Sequence, residues 1–545
     1  MSKIEQILIS LISGSIKNKL DSSEDYLEYV YLEVPKDKRF GDFSTNIAMR
    51  LSKVLKRPPA EIADELIADI KENLSGTENK SLIRDVKKEK PGFINFYITD
   101  NVVIESLSEI IREGKGFGGH VFGKGKKIQI EFVSANPTGP LTVAHGRQAA
   151  VGDSLANILK FCGYEVTREY YINDEGVQMN NLARSVKARY EGTPLPENGY
   201  KGEYIKDIAI EIKKAQATSY KPQDENFLDY AYNYMMKGIE KDLVDFGVEF
   251  DVWYSQKELS RSGKIAKALE ILEKKGFLFK EEGALWFRST AFGDDKDRVL
   301  IKSDGSFTYL APDIAYHKDK FERGYDKVIN IWGPDHHGYI NRIKAACQAL
   351  SFDKDRLSIL IAQLVTLFRD KKPVRMSTRE GEFITLREVI DEVGKDAGRF
   401  FFIMRKTDSH LDFDLELAKS KSMDNPVYYI QYAYARISSV LNFSSDKELD
   451  PTDLSGLGKP QEIDLIKKMM QYPRIIESSS RNLEPYILLS YLQELSSYFH
   501  SYYDSYRIVT DDKDVTNARM FLVTALKRII LSGLTLLGVS APEKM

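Results

Sequence analysis

The chain has 545 residues, 42% of them apolar and 29% charged; this globular composition excludes a disordered or collagen-like chain, and at roughly 150 residues per domain it predicts three to four domains. Two cysteines, Cys162 and Cys347, exclude a disulfide framework and an all-cysteine zinc site and suit a reducing compartment. Seventy-eight basic residues stand against 81 acidic ones, a formal net charge of −3, so a nucleic-acid partner must be argued from motifs and a local basic face rather than from bulk charge.

At the amino terminus Ile4, Ile7, Leu8, Leu11 and Ile12 recur at helical spacing and predict a packed helix. The segment lacks the continuous apolar core of a signal peptide, which predicts a cytoplasmic protein. Strands are expected at Leu27 to Val34 and at Phe93 to Ile98. The glycines Gly114, Gly116, Gly118, Gly119, Gly123 and Gly125 then read as a linker, with a domain boundary near 120. Beyond it, Lys127 to Val133 is β-branched and apolar, Ser134 to Pro140 is turn-forming, and His145 to Phe161 has helical periodicity up to a stop at Gly163. With a strand at Val166 to Ile172 this is a βαβ unit, the opening of a doubly wound sheet.

The stretch from about 190 to 300 is richer in charge, with helices expected at Asp224 to Phe246 and Ser260 to Lys275. It is expected as an insertion between two halves of one sheet, whose second half opens with the strand Lys327 to Trp332. From Asn425 the pattern is wholly helical: Leu488, Tyr491, Leu495, Tyr498, Phe499 and Tyr502 mark one face, and Ala518, Leu522, Ala525 and Ile529 another. The longest uncharged apolar stretch, Ile529 to Pro542, is broken by Ser532, Gly533, Gly538 and Ser540, short of the ~18 clean residues of a membrane span, so none is expected. The predicted fold class is multidomain α/β, with a Rossmann-like parallel-sheet core, an amino-terminal α/β domain and a carboxy-terminal all-α bundle. The domains are expected at 1–120, 121–372 with its insertion, 373–425 and 426–545.

Four segments carry chemistry. Ala135-Asn136-Pro137-Thr138-Gly139-Pro140, running on to His145-Gly146-Arg147, lies between strand and helix. There a close backbone and unpaired helix N–H groups suit phosphates, and His145 is either a donor to a phosphate or a capping histidine. Tyr309 to Ala315 offers Asp313, a carboxylate that pairs with a cation or merely caps a helix. Gly333-Pro334-Asp335-His336-His337-Gly338 places two adjacent histidines after a strand; without a nearby cysteine or carboxylate pattern they do not read as a zinc site. Val374-Arg375-Met376-Ser377-Thr378-Arg379-Glu380-Gly381, flanked by Lys371 and Lys372, is either a solvated loop or a mobile clamp for a polyphosphate.

In this order, together with Gly41-Asp42-Phe43-Ser44-Thr45-Asn46, Glu169 to Asp174, Asp408 to Asp414, Asn425 to Arg436 and the ending Gly538 to Met545, these segments resemble a bacterial arginyl-tRNA synthetase over nearly the whole chain. The resemblance implies a class I enzyme: ATP and L-arginine give arginyl-adenylate and pyrophosphate, and the arginyl group passes to the 2′-hydroxyl of the terminal adenosine of tRNA(Arg). No covalent enzyme intermediate is implied. Mg2+ accompanies ATP, activation waits for bound tRNA, no further metal is expected, and the enzyme is usually a monomer. Residue by residue, it implies that Glu131, Ser134 and Asn136 contact arginine while Tyr309 and Asp313 reach its guanidinium. Pro137, Thr138, Gly139, His145, Gly146, Gly333, Asp335, His336, Met376 and Ser377 line the ATP site, Gly333 to His337 forming its adenosine side, and Tyr429 and Tyr432 either lie near the anticodon stem and loop or belong to the helix core.

Two departures stand out. The class signature His-x-Gly-His reads Thr142-Val143-Ala144-His145, and the Lys-Met-Ser-Lys loop reads Arg375-Met376-Ser377-Thr378. The position where some members hold a compensating lysine is Gly139. Charge neutralisation in the transition state then falls to His145, Arg375, Arg379 or a nearby lysine. Two rival readings are a small-molecule adenylyl or nucleotidyl transferase, which would not need the helical carboxy-terminal domain, and a catalytically inactive tRNA-binding paralogue.

Overall fold

The computed structural model describes residues 3–19, 30–35, 37–75, 78–215, 224–374, 384–443 and 454–545. Its centre is a five-stranded parallel sheet in the order Leu357–Ile361, Lys327–Trp332, Lys127–Glu131, Glu165–Ile172, Val252–Ser255. The middle strand is buried from Ile128 to Glu131, as a parallel strand covered on both faces must be. Its neighbours in sequence and in topology lie on opposite sides: Ile130 is level with Arg168 on one flank and with Ile329 on the other. The strand order therefore reverses at Lys127–Glu131, and the crevice beyond Glu131 and Trp332 is the place where such sheets hold ligands.

The stretch 190–300 is not a single insertion. Val252–Ser255 lies within it and pairs in parallel with Glu165–Ile172 as an edge strand; four half-buried residues are too few to reveal a period. Before this strand, helices Val177–Glu191, Glu203–Ala215 and Asp224–Asp245 share a small core of Leu182, Ile205, Ile208 and Ala231. After it come two helices, Gln256–Arg261 and Lys264–Lys274, where one was expected; Gly263 at φ +74° separates them. A three-stranded antiparallel sheet follows, ending at Ile301.

The amino-terminal region packs helix Lys3–Lys19 and two further helices against an antiparallel sheet ordered Phe43–Thr45, Phe93–Ile98, Ile83–Glu89. Ile4, Leu8 and Ile12 are buried as their spacing predicts. Of the strand expected at 27–34, residues 27–29 lie outside the described residues, and the rest contributes one isolated bridge, Glu33 to Ser44. The glycine cluster is not a free linker. A Cβ on Gly118 would come within 2.6 Å of Tyr472 and one on Gly123 within 2.6 Å of Tyr164, while His120 Nε2 bonds the Pro473 carbonyl at 2.8 Å. The segment is fastened to the carboxy-terminal helices.

Those helices are Pro426–Phe443, Pro460–Met470, Tyr472–Asn482, Tyr486–Ser505 and Lys513–Leu536. The two predicted apolar faces are buried except at Tyr498, which is 36% exposed at the edge of its stripe. The bundle meets the catalytic region around Arg399, a fully buried arginine on helix Leu386–Ile403. Its guanidinium donates to Asp153 Oδ2 at 2.6 Å, the Leu537 carbonyl at 3.0 Å and the carbonyls of Phe246 and Gly247 at 3.3 and 3.2 Å. Gly538, at φ +67°, passes so close that a Cβ there would collide with the guanidinium. Among the described residues no helix is long and apolar enough to cross a membrane.

Candidate active site

The helix Val143–Phe161 begins at Thr142, whose backbone N–H donates to His145 Nδ1 at 3.0 Å. That bond makes Nδ1 the acceptor and leaves the proton on Nε2. Burial pushes the imidazole down to about 4, against the field of Asp335, so the ring is neutral at physiological pH and keeps one N–H to offer. Capping and donating to a phosphate are therefore compatible roles for one side chain. At Gly146 a Cβ would lie 2.8 Å from Leu386 and 3.0 Å from Phe402, so glycine here permits close helix packing. Arg147 is buried and donates to the carbonyls of Gln363 at 2.7 Å and Lys406 at 2.9 Å.

Arg375, Met376, Ser377 and Arg379 lie outside the described residues. The chain that follows them returns directly onto the first signature, with Val143 N–H bonded to the Ile384 carbonyl at 3.3 Å and Leu386 N–H to the Leu141 carbonyl at 2.7 Å.

Glu131 ends the central strand and is buried. One carboxylate oxygen accepts from Lys320 Nζ at 2.5 Å and the other from Ser134 Oγ at 3.1 Å. Between them the backbone is strained: Val133 and Ser134 have φ of +67° and +40°, a region uncommon for any non-glycine residue, most of all for a β-branched one such as Val133, and one that concentrates at functional sites. Lys320, wholly buried, also donates to Asn330 Oδ1 at 2.8 Å; Asn330 Nδ2 faces His317 Nε2 at 2.8 Å, and His317 Nδ1 faces the Asp313 carbonyl at 2.8 Å. Burial holds His317 down at about 3, so a neutral ring accepts from Asn330 and donates from Nδ1.

Asp313 lies in the first turn of helix Leu310–Glu322. Burial, with Glu131 nearby, pushes it up to about 7, while the Tyr339 hydroxyl and Lys320 pull the other way. The N-cap of this helix is Tyr309 and not Asp313, which does not support the helix-cap reading. The structure thus brings Glu131, Ser134 and Asp313 into one cluster. Asn136 stands apart, donating to Gln178 Oε1 at 2.7 Å. Tyr309 precedes Asp313 by one turn on the same helix face, but is 70% exposed and not part of the buried cluster.

Gly333 follows the strand Lys327–Trp332; a Cβ on it would lie 2.6 Å from Asp335 Oδ1 and 3.7 Å from Gln148 of the signature helix. His336 and His337 are exposed on a short 3-10 helix, His336 Nδ1 lying 3.2 Å from Asp335. Among the described residues no group of three His, Cys, Asp or Glu side chains is placed to hold a metal ion. A cleft of about 570 Å3 runs between Ala135 to His145, with Asn136, Thr138 and Gly139 in its wall, and the loop Glu197 to Tyr204. Tyr204 Oη latches that loop by donating to the Thr138 carbonyl at 2.7 Å. Sequence reasoning missed Lys320, Gln178 and Tyr204. The only local signal was the glycine-bracketed aromatic run Gly199-Tyr200-Lys201-Gly202-Glu203-Tyr204.

On the carboxy-terminal bundle, Tyr428 and Tyr432 stack at 5.8 Å, and Arg436 lies 4.7 Å from the Tyr432 ring and 4.6 Å from Tyr503. Tyr429 packs 4.4 Å from His500. Tyr429 and Tyr432 are half-buried, partly helix packing and partly open ring.

Comparison with known proteins accounts for all three regions. Residues 6–98 match the arginyl tRNA synthetase N terminal domain, 106–413 the class I (R) tRNA synthetase catalytic domain, and 430–545 the DALR anticodon binding domain. An arginine–tRNA ligase of Bacillus licheniformis is 45% identical over 100% of both chains, and that of Geobacillus kaustophilus 46% identical over 98% of this chain and 100% of its own.

The chain belongs to the class I arginyl-tRNA synthetase family.

It is accordingly an arginine–tRNA ligase, and the inactive tRNA-binding reading is not favoured. The arginyl-tRNA synthetase structures of Thermus thermophilus (TM-score 0.79, 22% identity, 99% of this chain and 100% of that one) and Plasmodium falciparum (0.76, 17%, all of both) share the fold.

Proposed function

We propose that this arginine–tRNA ligase divides its site between two ends of the switch-point crevice. At the inner end, Glu131 and Ser134 receive the α-ammonium side of arginine, which Asn136 reaches from the wall of the outer cleft, and Asp313 receives the guanidinium, with Tyr309 closing over it from the mouth. A planar guanidinium needs paired acceptors, and a carboxylate gives the strongest directional match. At the outer end, Pro137 to Gly139, the His145 Nε2–H, Gly333, Asp335 and His336 hold ATP, and the arginine carboxylate attacks the α-phosphorus as the bond to pyrophosphate breaks. Arg375 and Arg379, with Met376 and Ser377, serve the phosphates; beyond the undescribed stretch, Ile384 and Leu386 bond to Val143 and Leu141 of the first signature.

Magnesium would enter on the phosphates of ATP and neutralise part of their charge; the described residues offer no cluster of three acidic or histidine ligands for an ion of their own. Activation depends on bound tRNA, with Tyr429 and Tyr432 facing the anticodon stem and loop. A reducing, cytoplasmic setting fits the two buried, free cysteines, and the enzyme acts as a monomer. The observation that carries this reading is that two carboxylates, Glu131 and Asp313, meet in one buried cluster beside a helix start whose histidine offers a neutral N–H. The deciding experiment charges total tRNA with each labelled amino acid. Arginine alone should be transferred, and pyrophosphate exchange should need tRNA; charging with another amino acid, or fast exchange without tRNA, would contradict the reading.

A further inference from the structure

We propose that Lys201 is a further catalytic residue, a cation that reaches the pyrophosphate end of ATP from the wall of the cleft opposite the first signature. The inference rests on the placement of ATP described above and goes beyond it in naming a residue outside both signatures. In the sequence, the lysines that would neutralise the leaving pyrophosphate are replaced: Thr378 stands at the second position of the loop, and Gly139 at the position where a lysine could compensate. The cleft that holds Gly139 and His145 is walled on its far side by Glu197 to Tyr204. Of the residues lining it, Lys201 is the only lysine or arginine, and Glu197 is the only carboxylate. Lys201 is exposed to the cleft's solvent and, among the described residues, forms no ion pair. Its ammonium is therefore uncommitted.

The loop is positioned rather than loose. The Tyr204 hydroxyl donates to the Thr138 carbonyl at 2.7 Å, and Ser185 Oγ accepts from the Tyr200 N–H at 2.9 Å, so Lys201 is carried between two fixed points. The opposite wall carries the start of helix Val143–Phe161 and the His145 imidazole. A triphosphate lying along that helix start has its α-phosphate at the His145 end and its outer phosphates toward the loop. When the arginine carboxylate oxygen bonds to the α-phosphorus, the bond to the bridging oxygen breaks and pyrophosphate takes up the electron pair. A cation fixed at that point acts on the developing charge.

Single-turnover adenylate formation, with tRNA, arginine and magnesium-ATP all saturating, tests this. Lys201→Ala should slow the step roughly 10- to 100-fold, with half-saturating arginine and tRNA changed less than about twofold, and Lys201→Arg should retain most of the rate. Gly139→Lys in the Lys201→Ala background should restore part of it, because a side chain at Gly139 enters the same cleft with its nearest neighbour, Tyr204 Oη, 3.4 Å from the Cβ position. A saturated rate within twofold of wild type for Lys201→Ala, a loss that vanishes at higher tRNA, or equal losses in the Ala and Arg variants without rescue would each overturn the proposal. His145→Ala tests the underlying placement separately: a slowed saturated step in His145→Ala together with an unaffected Lys201→Ala rejects Lys201 alone, whereas unaffected rates in both reject the placement of ATP in this cleft.

Discussion

Charge is used in two ways where domains meet. At the junction of catalytic region and carboxy-terminal bundle, Arg399 is fully buried and its donors are spent on Asp153, on the Ser154 hydroxyl and on backbone carbonyls from two regions. Where the amino-terminal region meets the same bundle, Lys38 reaches Asp464 at 2.6 Å with the lysine side chain 66% exposed, and Lys467 reaches Asp42 at 2.7 Å. The Lys38 pair is as short as the Arg399–Asp153 bond, yet the two are not worth the same. A buried charge that loses its partner has no water to replace it, whereas an exposed one does.

The sharpest way to break this comparison is Arg399→Ala. It takes from Asp153 the shortest of its bonds, leaving Arg168 and Asn157 as partners, and leaves the Leu537 carbonyl with Ser154 Oγ at 3.2 Å. Loss of roughly 3 to 5 kcal/mol of stability is expected, read as a large fall in melting temperature; a fall within about 2 °C would show that the junction does not carry the fold. A consequence follows for truncation. A chain ended near residue 425 loses Leu537 as well as its anticodon-facing surface, so lost charging in that variant would report folding and RNA contact together.

The arginine pocket applies the same physics to a substrate. Asp313→Asn should cost roughly 2 to 5 kcal/mol of arginine binding, about 30- to several-thousand-fold in affinity, with little change for ATP. Because burial raises the Asp313 carboxyl to about 7, the free enzyme is increasingly protonated there below that pH, and arginine binding should weaken as pH falls through 7 toward 6. The sign for stability is opposite. The folded value lies above the ordinary 3.8, so the contribution of this group is present below about 4 and is lost as pH rises through 7. His145, held near 4, should add no inflection between pH 5 and 8. Equal arginine affinity at pH 6 and 8 in wild type would sink this account.

How much of this could be seen in the sequence depends on how far each feature reaches. The strand, turn and helix from Lys127 to Phe161 were legible because period and turn residues are local. So were the helical faces Leu488 to Tyr502 and Ala518 to Ile529, apart from Tyr498. The edge strand Val252–Ser255 was not, since its identity comes from pairing with Glu165–Ile172. In the site, Glu131 and Asp313 were found through motif resemblance, but their partner Lys320 sits 189 residues from Glu131 on a helix whose apolar pattern gives no hint of a buried ammonium. Contacts between distant segments, as at Tyr204 and Thr138, leave no local period to read.

A smaller effect is expected on the bundle. Tyr432 stacks on Tyr428 and under Arg436 while staying half-exposed, and base stacking on such a ring is worth about 1 to 3 kcal/mol. Tyr432→Ala should weaken tRNA binding by that amount and leave adenylate formation at saturating tRNA unchanged. Unaltered tRNA affinity with a lowered melting temperature would return Tyr432 to a packing role.

The smallest effect belongs to the exposed clasp. Lys38→Ala removes an ion pair at 2.6 Å and a contact 5.8 Å from the Tyr498 ring, both in water. Attraction between such groups is screened beyond about 10 Å at 0.1 M salt and is opposed by the entropy of fixing a long side chain. A double-mutant cycle of Lys38→Ala with Asp464→Ala should therefore give a coupling of less than about 1 kcal/mol, shrinking further in 0.5 M salt. The neighbouring Lys467 and Asp42 are 26% and 17% exposed, and Asp42 also accepts from the Ile98 N–H at 2.8 Å. Lys467→Ala should cost more than Lys38→Ala and keep most of its cost in salt. If the two variants lose equal stability, exposure is not what separates the joints, and the contrast with Arg399 must come from the number of bonds each cation makes.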